Sequence, residues 1–184
     1  MTETLGTMHW RALDRDGEDK CRLARHEDGY MLVGHARFRD GSGWAALDYV
    51  VRCGPDWLTR SADVTGTLSG EEMRCRITCE GGHWALNGAP LPELSGCSDI
   101  DFSFTPATNL MPLRRLPEVG RLPVRAAWMR LPGPRLDPLD QSYTRERGGL
   151  VSYQAAQTGY ETQISVDPCG FPTRYPGLWQ QVEV

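Results

Sequence analysis

The stretch Cys21–Arg52, CRLARHEDGYMLVGHARFRDGSGWAALDYVVR, decides the fold. Cys21–Arg25 alternates apolar and basic residues, the period-two pattern of a strand with one wet face. His26-Glu27-Asp28-Gly29 then supplies a turn, because Asp-Gly readily takes the positive φ of tight hairpins. Tyr30–Phe38 runs back as the second strand. Gly41-Ser42-Gly43 is a loop, and Trp44–Arg52 is aromatic and β-branched enough for a central strand. Successive hairpins of this kind predict an antiparallel sheet.

The same reading extends in both directions. Met8–Leu13 carries Met, Trp and Leu among polar residues and reads as a preceding strand, and Trp57–Leu68 as a following one with Gly66 as a bulge candidate. Met73–Glu80 and His83–Asn87 flank Gly81-Gly82, and Asn87-Gly88 is a second tight turn. Pro90 and Pro92 deny the next segment a regular ladder. Ser142–Arg147 and Leu150–Gln154 flank Gly148-Gly149, and Glu161–Val166 alternates weakly before Asp167-Pro168. Helix is confined to one short turn, N-capped by Thr108 or Asn109 and running through Leu116; Pro112 limits its regularity and Pro117 ends it. An antiparallel sheet of this size must curl, close or split to bury a face. The expectation is one all-β domain with minor α content over residues 1–184.

Composition agrees. Gly (20) and Pro (13) make up about 18% of the 184 residues, against an average near 12%, which excludes a helical bundle. Lys+Arg is 20 and Asp+Glu 24, a net charge of −4, with pI ≈ 5.6. Nucleic-acid modules are usually basic, so no nucleic-acid partner is expected. Mean hydropathy is −0.46, and no apolar run approaches the roughly 18 residues of a membrane span.

Met1–Trp10 lacks the apolar stretch of a secretory signal, so a cytoplasmic location is expected. Cys21, Cys53, Cys75, Cys79, Cys97 and Cys169 are scattered, as small buried thiols in a reducing compartment would be. Cys75 and Cys79 form C-x₃-C, with no second pair to complete a zinc ligand set. No metal, cofactor or disulfide is expected. The four histidines are scattered, and no G-x-S-x-G elbow, P-loop or G-x-G-x-x-G is present.

Residues 99–116, DIDFSFTPATNLMPLRRL, carry the functional information. Asp99 and Asp101 share one face of a strand, with Ile100, Phe102 and Phe104 on the other. The chain leaves the sheet at Thr105-Pro106, turns at Thr108-Asn109, and presents Arg114 and Arg115. Two carboxylates and two guanidiniums so close can form bidentate pairs. They can hold an irregular corner, form a polar lip recognising hydroxyls or an anionic head group, or supply a carboxylate pair for glycoside hydrolysis. Tyr143, Tyr153 and Tyr175 can offer hydroxyls to a sugar or carboxylate. Most of the tryptophans are core fillers by this reading, and a few of Trp44, Trp57, Trp84, Trp128 and Trp179 can line a cavity.

Three pieces of this block, Asp99-Ile-Asp-Phe, Thr105-Pro-Ala-Thr-Asn109 and Pro112-Leu-Arg-Arg-Leu116, resemble the signature of a bacterial family named for glycolipid binding and also classed as a domain of unknown function. Ala127-Trp128, Gln141-Ser-Tyr143, Asp167-Pro-Cys-Gly170 and Tyr175-Pro-Gly-Leu-Trp179 are similar to later pieces in the same order. Leu110-Met111 and Phe171 depart from the pattern without touching a charged position. The resemblance implies a spiral β-roll wrapped around a short helix, shaped like lipoprotein-carrier half-barrels. It implies a small apolar or glycolipid ligand held inside the curved sheet, and no catalysis. The residues assigned to that ligand are Asp99, Asp101, Thr105, Asn109, Arg114, Arg115, Gln141, Tyr143, Tyr153 and Tyr175. The expected cavity is apolar, lined by Trp, Leu, Met and Phe, with the Asp99–Arg115 block and Tyr175 at one rim. A hydrolase using Asp99 and Asp101, and a ligand-free structural or interaction domain, are the alternative readings; the oligomeric state is left open.

Overall fold

A computed structural model describes residues 3–41 and 43–183. The strands are β1 (Thr4–Ala12), β2 (Gly17–His26), β3 (Gly29–Asp40), β4 (Gly43–Cys53), β5 (Thr59–Leu68), β6 (Glu71–Glu80), β7 (His83–Leu86), β8 (Ala89–Pro90), β9 (Asp99–Phe102), β10 (Arg121–Arg130), β11 (Arg135–Arg145), β12 (Val151–Ala155), β13 (Tyr160–Val166), β14 (Pro172–Tyr175) and β15 (Trp179–Gln181). The helix α1 (Leu110–Arg115) follows a 3-10 turn at Ala107–Asn109. All fifteen strands form one sheet, in the order β8-β7-β6-β5-β4-β3-β2-β1-β15-β14-β13-β12-β11-β10-β9.

The strands of the opening stretch form as their alternation requires. Asp19, Cys21 and Leu23 on β2 face inward with Ala36 and Phe38 on β3 and Leu47, Tyr49 and Val51 on β4, while the residues between them face outward. Gly81-Gly82 and Asn87-Gly88 take positive φ at both positions (57° and 83°; 50° and 82°), as two-residue hairpin turns demand. Gly66 forms no bulge. It pairs in register with Leu47, and a Cβ there would lie 2.0 Å from the Ala46 carbonyl oxygen, so the glycine permits a close backbone approach. Trp57 and Leu58 precede β5 rather than starting it. The expected loop residue Ser42 lies outside the described residues.

One pairing departs from the antiparallel expectation. β9 and β10 are parallel, with Ala126 opposite Asp99 and Trp128 opposite Asp101. A parallel pair needs a crossover, and the Thr105–Leu116 segment with α1 provides it. β9 also returns to the other half of the sheet: the Ile100 N–H donates to Thr59 Oγ1 at 3.0 Å, and the Thr59 N–H to the Ser98 carbonyl at 3.1 Å. The sheet is thereby rolled into a spiral around the crossover.

The centre of the roll is filled by side chains. Phe38, Tyr49, Phe102 and Phe104 are essentially unexposed, with Phe102 stacked on Phe104 at 5.2 Å and Tyr49 edge-on to both. Leu110, Met111 and Leu113 of α1 complete the packing. Neither Thr108 nor Asn109 caps the helix. Thr108 Oγ1 accepts from the Phe102 N–H at 3.2 Å, and the Asn109 amide donates to the Tyr143 hydroxyl at 2.8 Å; tertiary partners outcompete the cap. Pro112 is tolerated because the first turn of a helix has no intrahelical acceptors for its N–H groups.

Candidate functional site

The crossover places three polar groups between the two halves of the roll. The first is an ion pair. Arg115, in the last turn of α1, donates from both terminal nitrogens to the two Asp99 carboxylate oxygens at 2.7 Å each. It also donates to the Trp57 carbonyl at 3.0 Å, and the Ser98 hydroxyl donates to Asp99 at 2.6 Å. Asp99 is 1% exposed. Arg114 points elsewhere. It is exposed, with its guanidinium 4.8 Å above the Trp57 ring, and Trp57 in turn stacks on Tyr30 at 3.7 Å.

The second group was not anticipated. Asp19 is fully buried on β2 and accepts from the Tyr49 hydroxyl at 2.8 Å and from the Thr105 hydroxyl. Thr105 in turn accepts from the Ala107 N–H at 2.9 Å, which starts the 3-10 turn. Tyr49 fits because its cross-strand neighbour is Gly34; a Cβ there would lie 2.1 Å from the ring. The other Asp19 oxygen, Oδ1, is buried with no hydrogen-bond partner among the described residues. Burial pushes this carboxyl up to about 6, against the pull of the Thr105 and Tyr49 hydroxyls. Glu18-Asp19-Lys20 reads in the sequence as a solvated charge run. The usable signal is parity, since Asp19 shares its face with Cys21 and Leu23.

The third group is the candidate site. β11 and β12 hold Gln141, Tyr143 and Tyr153 on their inner face, and β14 adds Tyr175. The Gln141 amide donates to Asp101 Oδ2 and to the Tyr153 hydroxyl at 3.0 Å. The Tyr143 hydroxyl donates to Gln141 Oε1 at 3.3 Å and accepts from Asn109. Tyr153 and Tyr175 meet edge to face at 5.8 Å. This network borders a cavity of about 130 Å³ whose lining includes Asp101, Thr105, Asn109, Tyr153 and Tyr175. Trp128, Leu139, Tyr160 and Trp179, with Phe102, supply most of its remaining aromatic and apolar wall.

Five of the ten assigned residues therefore line one cavity, with Gln141 and Tyr143 fixing it from behind. Asp99, Arg114 and Arg115 do not line it, and of the five tryptophans considered only Trp128 and Trp179 do. The cavity is more polar than the apolar interior expected, because Phe102, Phe104 and α1 occupy the middle of the roll.

Asp101 is half-buried. Desolvation pushes its carboxyl up to about 6, with a smaller contribution from the Asp99 charge and opposition from Gln141. Oδ1 of Asp101 has no hydrogen-bond partner among the described residues. Burial raises the Tyr143, Tyr153 and Tyr175 hydroxyls, which stay protonated near neutral pH. The cavity thus offers one carboxyl near its own midpoint, one carboxamide and several phenols between aromatic faces. Among the described residues no three His, Cys, Asp or Glu gather as metal ligands, and no helix is long and apolar enough to cross a membrane. The six cysteines carry free thiols.

The molecule is a spiral antiparallel roll with a small polar-aromatic pocket beside its inner helix. The model of the family described as "Putative glycolipid-binding" matches residues 7–181, and the chain belongs to that family. A crystal structure of a DUF1089 family protein from Pseudomonas aeruginosa is similar to it, with a TM-score of 0.78 and 29% identity over 89% of this chain and 92% of that one. No curated protein matches the sequence.

Proposed function

We propose that the protein binds an amphiphile of the glycolipid class through its polar head, with the sugar-sized group at the Asp101 cavity and the hydrocarbon outside it. The observation that carries this is the convergence of Asp101, Asn109, Tyr153 and Tyr175 on one cavity of about 130 Å³. A cavity of roughly 150 Å³ admits a benzene-sized ring, so this volume takes one edge of a sugar ring, with the rest of the ring at its mouth, and not a long acyl chain. Aromatic faces between hydrogen-bonding groups suit a ring with C–H faces and hydroxyl edges. The filled centre of the roll supports placing the chain elsewhere. Hydrolysis has one observation in its favour, the raised Asp101 carboxyl in the cavity; Asp99 would have to leave Arg115 to act beside it.

Isothermal titration with glucose, octyl glucoside and octanoic acid tests the proposal. Saturable binding of glucose and octyl glucoside, weakened in Asp101→Asn, is expected. Binding of octanoic acid as tight as that of octyl glucoside, with none of glucose, would instead indicate an apolar interior site.

A further inference from the structure

The outer face of β1–β4 carries a cationic patch that neither the core nor the cavity uses. The inward residues Trp10, Asp19, Cys21, Ala36 and Phe38 are buried, so strand alternation turns Arg11, Lys20, Arg22, Arg37 and Arg39 outward, where all five are exposed. Cross-strand register gathers them: Arg11 lies opposite Glu18, which lies opposite Arg37, and His9 lies opposite Lys20. Two acids on this face hydrogen-bond to histidines, Glu18 to His9 at 2.7 Å and Asp48 to His35 at 2.8 Å, and Glu18 also lies in the field of Lys20 and Arg37. Among the described residues none of the five cations forms a salt bridge.

Trp44 stands on the same face, 44% exposed. The Arg37 and Arg39 guanidiniums lie 5.4 and 5.7 Å from its ring centroid. Two shallow grooves of about 390 and 380 Å³ share His9 and Val182 and run across the patch between Trp44 and Arg22. The chain as a whole is acidic, at −4, so its remaining surface is more acidic still and the field orients this face toward negative charge.

We propose that this face docks on an anionic lipid bilayer. The match is in charge and in shape. Three adjacent strands, about 4.8 Å apart, carry the cations and the fourth carries Trp44, a breadth that suits a bilayer surface better than the groove of a duplex. A tryptophan flanked by arginines sits well at head-group depth, its indole in the interface and the guanidiniums against phosphates. This docking is independent of what the Asp101 cavity holds.

The test is flotation with vesicles of equal parts phosphatidylglycerol and phosphatidylcholine, against vesicles of phosphatidylcholine alone. Binding to the anionic vesicles at low salt and its loss at high salt are expected of the parent chain. The triple variant Arg11→Gln/Arg22→Gln/Arg37→Gln should bind roughly a hundredfold more weakly and melt like the parent, because all three side chains are exposed. Brominated acyl chains should quench parent fluorescence more than that of Trp44→Ser. Absence of binding at low salt, salt-independent binding, undiminished binding by the folded triple variant, or tighter binding to duplex DNA than to the vesicles would each overturn the proposal.

Discussion

Arg115 closes both oxygens of Asp99 in a two-pronged grip, at 2.7 Å each, across the crossover that joins β9 to β10. The pair ties the end of α1 to the first residue of the innermost strand. Arg114, one residue earlier, sits outside the roll on Trp57.

The two arginines should therefore behave differently. Arg115→Ala strands a buried carboxylate, which typically costs about 3–5 kcal/mol, a fall in melting temperature on the order of 10 °C. Arg114→Ala loses an exposed cation–π contact of about 0.5–1 kcal/mol. Thermal denaturation of the two variants checks this, and equal melting temperatures would refute the assignment.

Gly34→Ala tests how the Asp19 cluster is built. The added methyl would fall within 2.6 Å of two Tyr49 ring carbons and its hydroxyl oxygen, so the ring must move away from Asp19 and Thr105. Overpacking of this kind costs about 1–3 kcal/mol. Chemical denaturation should show that loss, with a change in the near-ultraviolet tyrosine signal.

The raised carboxyls give stability a definite pH dependence. Asp19 goes from an ordinary 3.8 to about 6 in the folded chain. Between those values the folded state holds a proton that the unfolded state has released. Its contribution is fully present below about pH 4 and is lost as pH rises through about 6. The two-unit difference corresponds to on the order of 3 kcal/mol. Asp19→Asn should remove this component, so the variant should lose less stability than the parent between pH 4.5 and 7.5. A parallel pH dependence in both proteins would contradict it.

Much of the sheet was legible because one wet face leaves period-two alternation in the sequence. Cys21–Arg25 and Trp44–Arg52 lie wholly within β2 and β4. The short strands β14 and β15, of four and three residues, carry too few positions to show a period. The parallel partnership of β9 was hidden because β9 is buried on both faces and its partner lies beyond a crossover, so no turn residue announces it. At the site, Asp101 was visible as one of two carboxylates on one strand face, Asn109 as a turn residue, and Tyr153 and Tyr175 as hydroxyls able to meet a sugar; the family resemblance grouped them. Asp19 did not stand out, because its neighbours Glu18 and Lys20 gave it a solvated appearance. Arg114 and Arg115 looked equivalent as a pair, and only the helix phase separates them.

Binding at the cavity should follow the Asp101 carboxyl, which titrates near 6. Hydrogen bonds to an ionised acceptor are roughly twice as strong as neutral ones, so affinity for octyl glucoside should rise as pH passes through about 6. Asp101→Asn should abolish that rise and weaken binding at pH 8 by about tenfold. Titrations across this range measure both. A pH-independent affinity in the parent would exclude Asp101 from the contact.

The most direct test is a crystal structure of the protein with octyl glucoside bound. The account predicts sugar-ring density at the Asp101 cavity, with hydroxyls within hydrogen-bonding distance of Asp101 Oδ1 and Asn109 and the octyl chain leading out past the cavity wall. Density for the chain among Phe38, Phe102 and Phe104 inside the roll, with the sugar outside, would contradict it.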